Sequence, residues 1–508
     1  MAPATNSRSS VADAGWNCAS NGFEDRIPAE ERNNPFTWIN PVPLWQSRND
    51  QVVRRFGDPT NDERRAWMEL VRAAHGADLT IDRSDLAAPS FIVAGDTGEG
   101  DASQWAVVPR IEQIAEQTDF MVIASDVIYP AGGVDDYENK FFLPYTTSPR
   151  PIYAVPGNHD WYDGLTGFMY HLCGQRTPPP KVDNGPRSLV GKLLWRKPKR
   201  ADTARADAMQ RRRARPEQHS AQVSPYWVID TGPLRIVGID TGITNSVDAE
   251  QGAWLRTVST QTSKPKILVT GKPIYVDGRY EPGTIEGGGT VDAIVRDPEC
   301  NYVAAVGGDI HNYQRYPVRL PDGRVIMYLV SGGGGAFMHE THSIPNLDAS
   351  GLAGVDEERF RLYPLRGDSL SRFSQLYGRK LWLPRALLFI APDQAAAIVG
   401  KRLGIAPTRT RAREAPTTLR ERIAARILFW LPGRGRRGLH LPFSEWLDWN
   451  QPPMFKSFLR VDAGPDEVHI RCFAATGCAS QQDDPPVEDS LRARPGPGNT
   501  WEWVLADD

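Results

Sequence analysis

Four short apolar runs, each stopping at a small residue and then an acid or an Asn-His-Asp triplet, constrain this chain most. They are SFIVAGD (90–96), DFMVIASD (119–126), PIYAVPGNHD (151–160) and YVAAVGGD (302–309). Each has the length and the β-branched or aromatic content of a strand, and each ends in a turn. Continuous apolarity marks strands buried on both faces. Helical spacing appears in DASQWAVVPRIEQIAEQ (101–117) and over 248–261, and strand patterns recur at YWVID (226–230), LRIVGID (234–240), ILVT (267–270) and VIMYLVS (325–331). The first two of these read as a hairpin. Alternation of strands with helices predicts an α/β fold with a largely parallel sheet. Such sheets place ligands just beyond the strand C-termini, where the polar clusters of this chain stand.

At 508 residues the chain is too long for one ordinary core, so insertions or a second domain are expected. Residues 1–88 read as an N-terminal extension, irregular apart from one helix, DERRAWMELVRAAHG. A core is expected over 89–340, with a basic, poorly periodic insertion at 165–222. An apolar–basic helical insertion follows at 341–450. Residues 451–508 read as a C-terminal hairpin of the core, turning at Gly464-Pro465-Asp466, plus a loose tail in which WEWVL (501–505) could pack back.

The net charge of −3 conceals a partition. Residues 187–215 and 401–437 each hold eleven Lys or Arg against two acids, so each is +9 and the remainder is −21. Five scattered cysteines without a CxxC exclude a disulfide framework and a zinc knuckle. The first residues lack an apolar signal-peptide core, and no run is long enough to span a bilayer, so a cytoplasmic setting is expected. Forty-eight Arg against eleven Lys is read as the bias of a GC-rich, bacterial genome.

The chemistry lies after the strands. Asp96 follows the first, Asp126 and Tyr129 the second, Asn158, His159 and Asp160 the third, and Asp309 and His311 a later one. Taken singly, each is an ordinary cap or turn residue. Four such clusters in order point to mixed oxygen and nitrogen ligation of hard or borderline metals, and a carboxylate can bridge two ions for phosphoryl hydrolysis.

The series GDTG (95–98), SDVIY (125–129), GNHD (157–160), LVTG (268–271) and GDIH (308–311) resembles the motif set of the calcineurin-like metallophosphoesterase superfamily, most of all its branch with purple acid phosphatases. The resemblance implies an α/β/β/α four-layer sandwich, here with two large insertions. It implies that Asp96, Asp126, Tyr129 and His311 hold a first metal, that Asp126 bridges, and that Asn158 and Asp309 serve a second. His159 would protonate the leaving oxygen or steady the transition state, with Asp160 orienting it. The nucleophile would be a metal-bound hydroxide. Fe, Mn or Zn, one or two ions per chain, are the implied cofactors, and a phosphorylated small molecule is the implied substrate.

One motif departs from the pattern. The fourth should be a strand followed by His-x-Pro, but here Gly271 and Lys272 precede Pro273, and no register supplies a histidine. Three accounts stand. His339 or His342, after the glycine-rich run 332–335, could be a substitute ligand. The protein could hold one tight metal and a weak second. Or Lys272 could place its ammonium in the gap, pair with Asp309 and meet a substrate oxyanion. The expected function is hydrolysis of a phosphate mono- or diester with a modified second site. The alternatives are a mono-metal or metal-binding protein without turnover, or non-hydrolytic iron chemistry.

The basic segment 187–215 could be a lid that attracts phosphorylated substrates. Nucleic acid is not the expected partner, because Trp195 is the only aromatic there. In 417–431, Leu419, Ile423, Ile427 and Trp430 fall on one helical stripe, with Arg420, Arg422 and Arg426 elsewhere on the helix. That pattern suits a peripheral membrane contact or packing on the core.

Overall fold

The computed structural model describes residues 23–33, 36–38, 40–180, 189–196, 198, 201–380, 385–430, 455–477, 486–497 and 500–505. The strands that matter here are β1 (Thr80–Arg83), β2 (Ser90–Ala94), β3 (Phe120–Ala124), β4 (Ile152–Val155), β5 (Trp227–Thr231), β6 (Arg235–Ile239), β7 (Lys266–Thr270), β8 (Tyr302–Gly307), β9 (Tyr313–Arg319), β10 (Val325–Ser331), β11 (Arg361–Tyr363), β12 (Ser457–Ala463), β13 (Val468–Ala474), β14 (Val487–Pro495) and β15 (Trp501–Leu505). The fold is mixed α/β with two large sheets.

The seven-stranded sheet has the order β15-β14-β13-β12-β2-β3-β4, and the eight-stranded sheet β1-β5-β6-β7-β8-β10-β9-β11. β2, β3 and β4 run parallel. In the other sheet β6, β7, β8 and β10 do the same. Each sheet therefore has a parallel centre whose C-terminal edge carries the motif loops. Antiparallel strands complete the rims, including the expected β5/β6 and β12/β13 hairpins.

Side chains alternate across the pleat. Phe91, Val93, Phe120 and Val122 point into a cluster that also holds Ile229, Ile236, Ile267, Val269 and Val306, so it is shared by both sheets. Ile92, Met121 and Ile123 point the other way, onto Val107, Val108 and Ile111 of helix α1 (Ala102–Ala115). Val228, Val237 and Leu268 meet Leu255 and Val258 of α2 (Ala249–Thr260) and Ile294 of α3 (Val291–Arg296). Every strand that carries a motif is packed on both faces, which explains the unbroken apolar runs.

Three expectations about the periphery change. The extension 1–88 is not merely irregular: it supplies edge strand β1, paired with β5. Its helix Thr60–His75 is clamped by the buried Arg64, which bonds Asp240 at 2.8 Å and Asp248 at 3.2 Å. The tail is not loose either. β14 and β15 extend the seven-stranded sheet, β14 pairing with β13 and β15 with β14, and Leu491 and Ala493 are buried. The polar composition of that stretch masks an alternation that becomes apolar only on the inner face. The basic segment, finally, is partly internal: Arg213 is buried, donating to the carbonyls of Tyr145, Ser148 and Arg150.

Between β11 and β12 the described helices include α4 (Arg366–Lys380), α5 (Pro392–Leu403) and α6 (Leu419–Trp430), with a small core of Leu370, Phe373, Ile390, Val399 and Leu428. The rest of that expected insertion, 431–450, lies outside the described residues. No helix among the described residues is long and apolar enough to cross a membrane.

Candidate functional site

The strand ends leave the sheets through unusual backbone. Asp96, Ser125, Asp126 and Asp309 all have positive φ, at 58°, 101°, 31° and 66°. Non-glycine residues seldom adopt this region, and clusters of them mark sites where geometry is imposed on the chain. The loops also approach very closely. A Cβ on Gly308 would stand 1.9 Å from the Ala124 carbonyl oxygen and 2.8 Å from Asp96 Oδ2. The glycine-rich run 332–335 lies against the same place: Gly334 N donates to Gly95 O at 3.0 Å and Ala336 N to Asp96 O at 2.8 Å. Those glycines permit backbone to close over the Asp96 loop.

Tyr129 is the centre of the buried half of the site. Its hydroxyl lies 3.1 Å from Asp96 Oδ1, 3.2 Å from Asp126 Oδ2 and 3.1 Å from His311 Nε2. The opposite nitrogen of His311, Nδ1, is 2.7 Å from the Phe337 carbonyl oxygen and therefore carries the proton. Nε2 is then an acceptor, and burial holds the imidazole neutral by pushing its pKa down to about 3. Three acceptors thus face one phenolic hydrogen. Asp96 Oδ2 is buried without a hydrogen-bond partner. Burial, followed by the charges of Asp126 and Asp309, raises the Asp96 carboxyl well above its usual range, and burial raises Asp126. The phenol is likewise pushed up, by burial and then by Asp126 and Asp96. This surplus of acceptors and carboxylates over donors fits a cation. As the side chains stand around the Tyr129 hydroxyl, no group of three His, Cys, Asp or Glu among the described residues encloses a metal ion; the set includes a phenol.

The open half is built differently. Lys272 Nζ lies 2.5 Å from Asp309 Oδ1 and 3.2 Å from Asn158 Oδ1. Asn158 is held in this orientation by its Nδ2, which donates to Tyr162 Oη at 2.7 Å. Gly271 has no room for a side chain, since a Cβ there would stand 2.6 Å from the Pro156 carbonyl oxygen and 3.1 Å from Thr241 Oγ1. These residues do not fit a second metal, because an ammonium already lies between the two oxygens that would hold it.

His159 stands between the halves. Its backbone N–H donates to Asp126 Oδ1 at 2.7 Å. Its Nδ1 is 2.8 Å from the Pro130 carbonyl oxygen, and its ring packs on Tyr129, Tyr162 and Trp38. This corrects the role expected for Asp160. That carboxylate turns away into the loops, accepting from Val127 N and Gly157 N at 3.0 Å each, because a buried carboxylate gains more from two backbone donors than from one imidazole.

His339 and His342 lie elsewhere. His339 stacks on His311 with ring centroids 4.1 Å apart, and its Nδ1 accepts from His311 N at 3.2 Å. His342 Nδ1 is 2.9 Å from Ser369 Oγ, and the ring packs on Phe373 and Phe429 in the helical insertion.

Sequence reasoning missed Trp38. It is buried against Tyr129, His159 and Phe337, and its Nε1 donates to Glu99 Oε1 at 2.9 Å. It comes from the extension, far from any motif. Lys140, which donates to the Tyr129 carbonyl, was missed too.

Residues 89–313 match the family model described as calcineurin-like phosphoesterase. No curated protein matches the chain. Similar solved structures include purple acid phosphatase PPD1 from yellow lupin (Lupinus luteus) seeds, at 12% identity and a TM-score of 0.36, over 80% of this chain and 53% of that one. The chain thus spans about half the length of that phosphatase. GAP50, the anchor in the inner membrane complex of Plasmodium, is similar at 12% identity and 0.36, over 79% of this chain and 90% of its own. PhoD is similar at 10% identity and 0.35, over 82% and 72%. The segment 89–313, which is similar to the calcineurin-like phosphoesterase family, carries the carboxylates, the phenol, the two imidazoles and the lysine gathered here.

Proposed function

We propose that the protein hydrolyses a phosphate ester with a metal held by Asp96, Asp126, Tyr129 and His311. The observation that carries this reading is the meeting of two carboxylates and a neutral imidazole on one buried phenol, with more acceptors than hydrogens. Fe, Mn and Zn suit such a donor set. A cation there supplies Lewis-acid polarisation and a nucleophile at neutral pH.

The protein's own groups do the rest. In hydrolysis the phosphorus–oxygen bond to the leaving alcohol breaks, a new one forms from water, and the leaving oxygen takes a proton. His159, with its Nδ1–H fixed on the Pro130 carbonyl, has Nε2 as the atom that delivers that proton. Trp38 and Tyr162 hold the ring in place. The second site is modified, with Asn158 and Asp309 facing Lys272 instead of an imidazole. An aryl phosphate monoester and a bis-aryl phosphodiester test the reading. Turnover of either that depends on added Fe, Mn or Zn and is lost in Asp126→Asn and His159→Ala is expected. Metal binding without turnover of either ester, with all three metals, would favour a non-hydrolytic metal protein.

We also propose a peripheral contact through α6. Leu419, Ile423, Ile427 and Trp430 are 69%, 48%, 44% and 80% exposed, so the stripe faces away from the helical core. Arg422 and Arg426 share that exposed face, within a segment of net charge +9. Apolar stripe and arginines together suit an anionic bilayer surface. Binding to vesicles of equal parts phosphatidylcholine and phosphatidylglycerol, lost in Ile423→Glu/Ile427→Glu, is expected. Equal binding by that variant would contradict the contact.

A further inference from the structure

We infer that Lys272 is a resident cation that takes the place of the second metal, so that the protein works with one metal ion and receives a substrate phosphate oxygen on this ammonium. The inference rests on the proposed hydrolysis and concerns the other half of the same site.

The first observation is position. Lys272 Nζ is 2.5 Å from Asp309 Oδ1 and 3.2 Å from Asn158 Oδ1, the two oxygens that the motif pattern assigns to a second ion. A metal and an ammonium cannot both lie between the same two oxygens. The ammonium has three hydrogens. Two are directed at Asp309 and Asn158, which leaves one for an incoming acceptor.

The second observation is the absence of room for the alternative. A side chain at Gly271 would run into the Pro156 carbonyl, which belongs to the loop that presents Asn158. The backbone has closed onto the position where the motif pattern puts an imidazole. The loop is further pinned by Thr270 Oγ1, which donates to the Lys272 carbonyl at 3.1 Å.

The third observation is access. The Lys272 and Asp309 side chains keep 18% and 20% of their exposure, whereas Asp96 is completely buried and His311 nearly so. Solvent, and hence a phosphorylated substrate, reaches the site on the lysine side. Lysine is a compact point charge that can stabilise a phosphoryl oxygen. It has no empty orbital with which to activate water, so one metal must remain for that task.

The test is metal content by elemental analysis after equilibration of the full chain with Mn²⁺ or Zn²⁺ and removal of free ion. One equivalent in the wild type is expected, rising to two in Lys272→Met, where the ammonium is lost and the side-chain volume is nearly kept. Lys272→Ala serves as a second variant should the first fold poorly, and Mn²⁺ electron paramagnetic resonance separates isolated from coupled ions. Two equivalents in the wild type would overturn the inference and leave the proposed hydrolysis standing. One equivalent in the wild type and in both variants would also overturn it, because the ammonium would then not be what excludes the ion. No tightly held metal in the wild type would instead overturn the proposed function itself.

Discussion

The Nδ1 atom of His159 lies 2.8 Å from the carbonyl oxygen of Pro130, so a backbone acceptor, and not the adjacent carboxylate of Asp160, sets the imidazole tautomer. The two neighbours accordingly separate in their effects. His159→Ala should lower kcat/KM for an aryl phosphate by about 10²–10⁴-fold, the range of a lost general acid, with metal content and thermal stability near wild type. Asp160→Ala should act mainly on stability. It strands the Val127 and Gly157 amides, at roughly 1–3 kcal/mol for each unpaired buried group. Thermal melts beside steady-state kinetics distinguish the two.

Asp126 touches both halves of the site, through the Tyr129 hydroxyl and the His159 amide. Asp126→Asn keeps the shape and removes the charge. Loss of bound metal, by elemental analysis, is expected together with loss of turnover. Retention of both would mean that the carboxylate has no part in holding the cation.

Gly308 permits the closest approach in the centre of the fold. In Gly308→Ala the new methyl would meet the Ala124 carbonyl oxygen at 1.9 Å, and a backbone atom cannot swing aside. A destabilisation of about 3 kcal/mol, the upper range for overpacking, is expected from urea denaturation. Gly323→Ala is the control: it has open space around it, but its φ of 88° is strained for alanine, so a smaller loss is expected.

His171 gives the fold a pH dependence away from the catalytic groups. Burial lowers its pKa from 6.5 to about 4, and its Nε2 is 2.9 Å from the Val134 carbonyl oxygen. The unfolded chain therefore binds a proton between pH 6.5 and 4 that the folded chain refuses. Stability from this group is complete above pH 6.5 and declines as pH falls toward 4, by up to roughly 3 kcal/mol. Melting temperatures of wild type and His171→Gln should converge above pH 7 in their slope and diverge below 6, the wild type falling faster.

Much of the site was legible in the sequence because each functional group directly follows a strand buried on both faces. Apolar runs end where a strand ends, so Asp96, Asp126, Asn158 and Asp309 could be placed at strand C-termini from local pattern alone. Lys272 was legible as the cation beside a missing histidine, because no register of that motif supplies an imidazole. What was not legible is set by contacts distant in sequence. Trp38 reaches His159 across more than a hundred residues, and nothing in its neighbourhood marks it. The Pro130 carbonyl is a backbone atom, which no side-chain pattern reveals. β14 and β15 were read as a tail because Arg492 and Arg494, which alternate with the inward Leu491 and Ala493, and the Asp, Pro and Gly around them in sequence hide the apolar face.

The most direct test of the account is anomalous scattering from crystals of the full chain grown with Mn²⁺. One strong peak bounded by Asp96, Asp126, Tyr129 and His311, with none between Asn158 and Asp309, is the predicted result. A map with no peak beside those four residues would contradict a metal centre in this protein.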